Sequence, residues 1–137
     1  MSSKIKSSHK NVCIIIPAYN EEKPIASVIS AISRLRRKPH IIVVNDGSTD
    51  NTKGVVERLG IEILNLPFNL GVGGAVQAGL KYCKDNNFGV AVQVDADGQH
   101  DPKYIARLLD AARHADLVIG KIVKYPFFCK NFLHITG

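Results

Sequence analysis

Short runs of β-branched apolar residues, alternating with longer amphipathic segments, most constrain what this chain folds into. The first run, residues 12–16, contains only Val, Cys and Ile and is followed by Pro17. Such a run is typical of a strand that is buried on both faces. Residues 24–35 then place Ile, Val and Leu at spacings of three and four, which predicts a helix with one apolar face.

The same alternation continues along the chain. Further strands are predicted at residues 41–44, 61–64, 90–94 and 117–119, and further helices at 51–59, 71–84 and 102–113. Strands that alternate with helices of this length form parallel sheets, joined by right-handed crossovers. We therefore predict an α/β fold of three layers, α/β/α, around a mostly parallel sheet.

The length of 137 residues suits one domain, and 45% hydrophobic with 22% charged residues is an ordinary globular composition. We predict a basic flexible leader at residues 1–11, one domain at 12–120 and an aromatic-rich tail at 121–137. The tail aromatics either pack on the domain, meet a membrane interface or precede a further segment of chain, and we favour the last two.

The formal net charge of +6 suits phosphate-bearing partners: nucleic acid, an anionic membrane or a nucleotide diphosphate. No nucleic-acid-binding motif is present, so we expect no nucleic-acid partner. The three cysteines are widely spaced, which fits a reducing compartment, and residues 1–11 lack the apolar core of a secretory signal. We expect a cytoplasmic protein, either free in the cytoplasm or at the cytoplasmic face of a membrane.

Polar motifs follow the first, second and fourth predicted strands, so all of them should lie at one edge of the sheet. Asp95 and Asp97 leave the fourth strand two residues apart, which allows both carboxylates to face one hard cation. We predict Mg²⁺ or Mn²⁺ there, with phosphate oxygens completing its shell. The alternative is a polar turn before the next helix, where Asp101 is a candidate N-cap.

Asp46 ends the second apolar strand, where a carboxylate has no packing role and can accept a hydrogen bond from a nucleobase or ribose. We assign the next residues, Ser48, Thr49 and Asp50, to a turn and helix cap. Glycines at 71, 73 and 74 open a predicted helix, which allows either close approach of a ligand or tight helix packing.

Residues 95–106 fit two other motifs with spaced aspartates less well. An EF-hand loop needs Gly and Glu where this chain has His100 and Ala106, so it is excluded. A dehalogenase-type phosphotransferase needs Thr or Val where Gln99 stands, so it remains only a weaker alternative.

Four motifs occur in order within residues 12–120: IIIPAYNEE at 14–22, VVNDGSTD at 43–50, NLG at 69–71 and VDADGQHDP at 94–102. Together they resemble the family 2 glycosyltransferases, closest to the branch of dolichyl-phosphate mannosyltransferases and polyprenyl-phosphate sugar transferases. The resemblance implies a GT-A fold, which is a Rossmann-like fold of nucleotide-diphospho-sugar transferases. It also implies metal-dependent transfer of a sugar, with inversion, from a UDP- or GDP-sugar to a polyprenyl or dolichyl phosphate or a growing glycan.

By position, the resemblance implies that Asp95 and Asp97 bind the metal and are catalytic. The substrate-binding residues that it implies are Pro17, Ala18, Tyr19, Glu21, Asp46, Gly71, Ala96 and Gln99. Relatives run substantially further than this chain. We therefore expect either an enzyme or its donor-binding half, with a truncated domain that binds a nucleotide-sugar without turnover as the alternative.

Overall fold

The structure is a computed structural model that describes residues 12–98, 101, 103–111, 117–122 and 125–131. Strands and helices alternate along most of these residues. Their order is β1 (Val12–Ala18), α1 (Ile25–Ser33), β2 (His40–Asn45), α2 (Thr52–Arg58), β3 (Glu62–Asn65), α3 (Gly71–Asp85), β4 (Val90–Gln93), α4 (Lys103–Ala111), β5 (Leu117–Ile122) and β6 (Tyr125–Asn131).

The strands form one sheet in the order β3-β2-β1-β4-β6-β5. Strands β1 to β4 are parallel to one another, while β6 lies antiparallel between β4 and β5. The predicted α/β fold with a mostly parallel sheet is confirmed.

Helices cover both faces of the sheet, because successive residues of the buried strands point to opposite sides. Ile14 and Ile16 pack with the apolar faces of α1, α2 and α4 in one buried cluster. Ile15 packs on the other face, with Ala75 and Cys83 of α3. The core is therefore divided into two halves by the sheet, as the prediction of three layers requires.

Strand β1 is longer than predicted, because it continues through Pro17 to Ala18. In a parallel ladder the N–H and C=O of one residue face the same neighbour, and the carbonyl of Ile15 faces β4, where it accepts from the N–H of Val94. The missing N–H of Pro17 faces the same side, where the ladder to β4 has already ended. Proline therefore costs no strand hydrogen bond here.

Strand β5 runs to Ile122, two residues beyond the predicted end of the domain at residue 120, and residues 125–131 of the tail form β6 in the same sheet. The three tail aromatics at 125, 127 and 128 lie in this strand, while Phe132 lies outside the described residues. Strand β6 is joined to the domain by backbone pairing with β4 and β5. Among the helices described, none is long and apolar enough to span a membrane.

Candidate active site

The sheet has a topological switch point between β1 and β4. From β1 the chain adds β2 and β3 on one side, and α3 then returns it to β4 on the other. The ladder between β1 and β4 ends at the pair Ile15–Gln93, whereas β1 continues to Ala18. A crevice therefore opens at the carboxyl ends of these two strands, which is where open α/β sheets bind ligands.

A cavity of about 460 Å³ occupies this crevice. Its lining comes from the ends of β1, β2 and β4 and from the beginning of α3. The lining residues are Pro17, Ala18, Tyr19, Glu21, Asp46, Val72, Ala75, Gln93, Asp95, Ala96 and Asp97. The predicted convergence of the loops after the first, second and fourth strands is therefore confirmed.

Two of the predicted site residues are not among the described residues that line the cavity. Gln99 lies outside the described residues. Gly71 has a φ of +83°, which turns the chain into α3, and the next residue, Val72, lines the cavity. The other predicted residues all line the cavity, and their roles remain predictions.

Asp46 is a buried carboxylate, with 3% of its surface exposed. Its Oδ1 accepts a hydrogen bond of 2.7 Å from the backbone N–H of Leu70, and its own N–H donates to the carbonyl of Ala18 at 2.9 Å. Its second carboxylate oxygen has no hydrogen-bond partner among the described residues. Because a buried acceptor is costly when unpaired, this oxygen is well suited to accept from an N–H or O–H group of a ligand.

The cavity carries a concentration of negative charge from Glu21, Asp95 and Asp97. Burial raises the pKa of Glu21 above its ordinary value, and the charges of Asp97, Asp50 and Asp95 raise it further. The neighbouring carboxylates create a negative potential at Glu21, which a bound cation would neutralise.

The chemistry of these side chains fits Mg²⁺ or Mn²⁺, since both ions prefer carboxylate oxygens. Within the described part of the chain, no group of three or more His, Cys, Asp or Glu side chains is arranged to hold a metal ion. Two carboxylates fill only part of the coordination shell of such an ion, and water and phosphate oxygens supply further ligands. That arrangement is typical of sites that bind the metal together with a substrate phosphate.

Asn20 joins the loop after β1 to the loop after β2. Its side-chain Oδ1 accepts hydrogen bonds from the backbone N–H of Thr49 at 2.8 Å and of Asp50 at 3.2 Å. Its own N–H donates to the Oγ of Ser48 at 3.0 Å. The residues predicted to form a simple turn therefore also fix the segment that carries Tyr19 into the cavity. This role of Asn20 was not predicted from the sequence.

Asp50 joins the beginning of α2 to the loop after β1. Its carboxylate accepts from the backbone N–H of Thr52, the first residue of α2, at 2.9 Å and from that of Glu22 at 3.2 Å. Burial acts to raise the pKa of Asp50, but hydrogen bonds from Thr52 and Glu22 outweigh burial and lower it. The N-cap position of α2 is Asn51, whose side chain makes no capping hydrogen bond, so Asp50 acts from one position earlier.

Three lining residues, Val72, Ala75 and Gln93, were not predicted. Val72 and Ala75 lie three residues apart on α3, and Ala75 begins a series of buried small residues at every fourth position, with Gly79 and Cys83. Gln93 is the one polar residue in the run 90–94, and that interruption was the available signal.

The chain was compared with protein families and with known relatives. The profile of Glycosyl transferase family 2 matches residues 13–134. The chain belongs to this family. It is 34% identical to polyprenol monophosphomannose synthase of Mycolicibacterium smegmatis, over 78% of the chain and 43% of that protein. It is 35% identical to UDP-N-acetylglucosamine–dolichyl-phosphate N-acetylglucosaminyltransferase of Methanococcus voltae, over 89% of the chain and 56% of that protein.

Among solved structures, the fold is similar to glucosyl-3-phosphoglycerate synthase from Mycobacterium tuberculosis in complex with Mn²⁺, UDP and glucosyl-3-phosphoglycerate. The TM-score is 0.67 at 26% identity, over 81% of this chain and 43% of that one. The predicted GT-A fold is confirmed, and family 2 membership argues against the alternative of a dehalogenase-type phosphotransferase. The chain spans about half the length of the curated relatives it matches.

Proposed function

We propose that this chain forms the donor-binding part of a metal-dependent, inverting glycosyltransferase. The sugar passes from a UDP- or GDP-sugar to a lipid phosphate of the polyprenyl or dolichyl class, the acceptor class named in the two relatives above. A growing glycan is the second acceptor class. The observation that carries the proposal is the meeting of Asp46 with Asp95 and Asp97 in one cavity at the switch point of the sheet.

Asp95 and Asp97 would hold the metal, for which we propose Mg²⁺ or Mn²⁺; Mn²⁺ accompanies UDP in the similar mycobacterial structure. A divalent cation on the diphosphate neutralises the charge that develops on the leaving group. Glu21 adds a nearby negative charge that favours cation binding.

The remaining residues of the cavity would bind the nucleoside. Asp46 offers a fixed acceptor to an N–H of the base or a hydroxyl of the ribose, and Tyr19 offers a ring at the cavity edge. A lipid phosphate is already anionic, so as an acceptor it needs little help from a general base, whereas a sugar hydroxyl needs one.

Isothermal titration with UDP, GDP and their sugar conjugates, first with Mn²⁺ and then with EDTA, tests the donor site. We expect one nucleotide to bind with Mn²⁺, and Asp97→Asn to weaken that binding by at least about tenfold. Asp85→Asn, which removes an exposed carboxylate at the end of α3, is the control and should bind like the parent. Equal binding by the parent and Asp97→Asn would contradict the proposal.

Turnover separates an active enzyme from a domain that only binds its donor. The assay measures transfer of labelled sugar to undecaprenyl phosphate, together with hydrolysis of the donor. Transfer supports an enzyme, and donor binding without either reaction supports the binding domain.

We also propose peripheral contact with the anionic cytoplasmic face of a membrane. Phe68, with 65% of its surface exposed, lies close in sequence to the exposed residues Leu70 and Val72, and Val72 lines the cavity. Phe68→Ser should weaken sedimentation with phosphatidylglycerol vesicles roughly tenfold, because the phenyl ring no longer enters the interface. Leu59→Ser, at an exposed leucine that follows α2, is the control. Equal losses in both variants would contradict membrane contact through this segment.

A further inference from the structure

A buried amide lies in the wall of the cavity and has no part in the roles proposed above. Gln93, the last residue of β4, has 9% of its surface exposed and lines the cavity. Because side chains alternate along a strand, it lies on the same face of the sheet as Ala91, which packs with Ala75 of α3.

The amide of Gln93 binds the carboxylate of Asp95. Its Nε2 donates a hydrogen bond of 3.2 Å to Oδ1 of Asp95. An ionised carboxylate only accepts hydrogen bonds, so chemistry fixes which end of the amide faces it. This bond restrains the rotation of the Asp95 carboxylate about its last torsion.

Core packing does not explain a glutamine at this position. Its carboxamide oxygen has no hydrogen-bond partner among the described residues, and a buried acceptor without a partner lowers stability. Ala75, which lines the same cavity, and Ala91, on the same face of the sheet, are apolar, so a leucine of similar size would lie beside them without an unpaired acceptor.

We propose that Gln93 is a positioning residue that holds the carboxylate of Asp95 in the orientation that binds the metal–diphosphate group. This inference rests on the proposed function. A carboxylate that is already oriented loses less conformational freedom when the ion binds, so the bond to Gln93 strengthens binding without itself touching the metal.

The first test compares Gln93→Leu with Gln77→Leu, which makes the same replacement at an exposed position of α3 outside the cavity lining. We expect Gln93→Leu to lower the affinity for UDP or GDP in the presence of Mn²⁺ by about tenfold, the effect of one hydrogen bond to a charged group. Binding in EDTA should stay the same, and the melting temperature should not fall. Gln77→Leu should behave like the parent.

Two results would overturn the inference. The first is parental affinity of Gln93→Leu in the presence of Mn²⁺. The second is a lower melting temperature with equal losses of affinity in Mn²⁺ and in EDTA, which is what a merely structural residue would show.

A second measurement needs no ligand. In the ¹H–¹⁵N spectrum of the full chain, Asp95→Asn should shift the side-chain amide of Gln93 and leave that of Gln77 in place. An unmoved Gln93 amide would overturn the inference. If the parent chain binds no nucleotide, the proposed function fails, and this shift still decides whether Gln93 holds Asp95.

Discussion

Replacing Gly47 with Ala tests how the chain beside Asp46 is built. Gly47 has a φ of +74°, and a Cβ added there would lie 2.7 Å from the backbone N of Asn69 and 2.9 Å from the carbonyl carbon of Phe68. Both neighbours are backbone atoms, so a change of side-chain rotamer cannot relieve the clash. The substitution therefore requires either a change of φ or a shift of the segment 68–70.

The cost has two parts. The left-handed conformation costs an L-residue about 1–2 kcal/mol, and forcing atoms into filled space costs about 1–3 kcal/mol. Together, Gly47→Ala should lower the free energy of unfolding by about 2–5 kcal/mol, a large share of the roughly 5–15 kcal/mol that stabilises a typical domain. Gly60→Ala isolates the first part, because Gly60 has a φ of +69° but no atom within 4 Å of an added Cβ.

Urea unfolding followed by circular dichroism measures both variants, and titration with UDP and GDP measures the site. Since Leu70 donates to Asp46, movement of the segment 68–70 should also weaken nucleotide binding in Gly47→Ala and not in Gly60→Ala. If the two variants lose the same stability within about 0.5 kcal/mol, the close approach of residues 68 and 69 does not limit position 47, and the reasoning is refuted.

Asn20→Ala should cost about 2 kcal/mol of unfolding free energy, because two backbone amides lose their acceptor; Asn20→Asp keeps that acceptor, and equal losses in both would contradict the role. Glu21→Gln should raise the unfolding free energy at neutral pH, since burial and nearby carboxylates disfavour the ionised form. That gain should vanish in urea titrations below pH 4.5, the ordinary pKa of Glu, and a gain independent of pH would be the contrary result. Gly79→Ala places a Cβ 2.5 Å from Ile15 and should lower the melting temperature, whereas Gly73→Ala, in open space on the same helix, should raise it; the reverse order would be inconsistent with this packing.

Local patterns determine much of this protein. The apolar run of β1 and the three- and four-residue spacings of α1 predict their elements because burial on one or two faces imposes a period on the sequence. The positions of Asp46, Asp95 and Asp97 follow from that prediction, since the carboxyl ends of parallel strands share one edge. The alternation of strands and helices and the motifs of the site could therefore be predicted from the sequence.

Pairings between residues that are distant in the sequence could not be predicted from local patterns. Strand β6 reaches the sheet through backbone bonds to β4, and no short-range period in residues 125–131 encodes that partner. Asn20 contacts residues about thirty positions away. In the sequence, an asparagine at this position is equally typical of an ordinary turn, so these contacts could not be predicted.

The sequence by itself determined the class of fold, the edge that carries the site and the carboxylates that meet there, because periodicity and strand ends are local properties. Only the tertiary structure decided the order of the strands, the place of the tail in the sheet and the contact between Gln93 and Asp95. These depend on which surfaces meet and which buried polar atoms find partners, and that is settled only when the whole chain is packed.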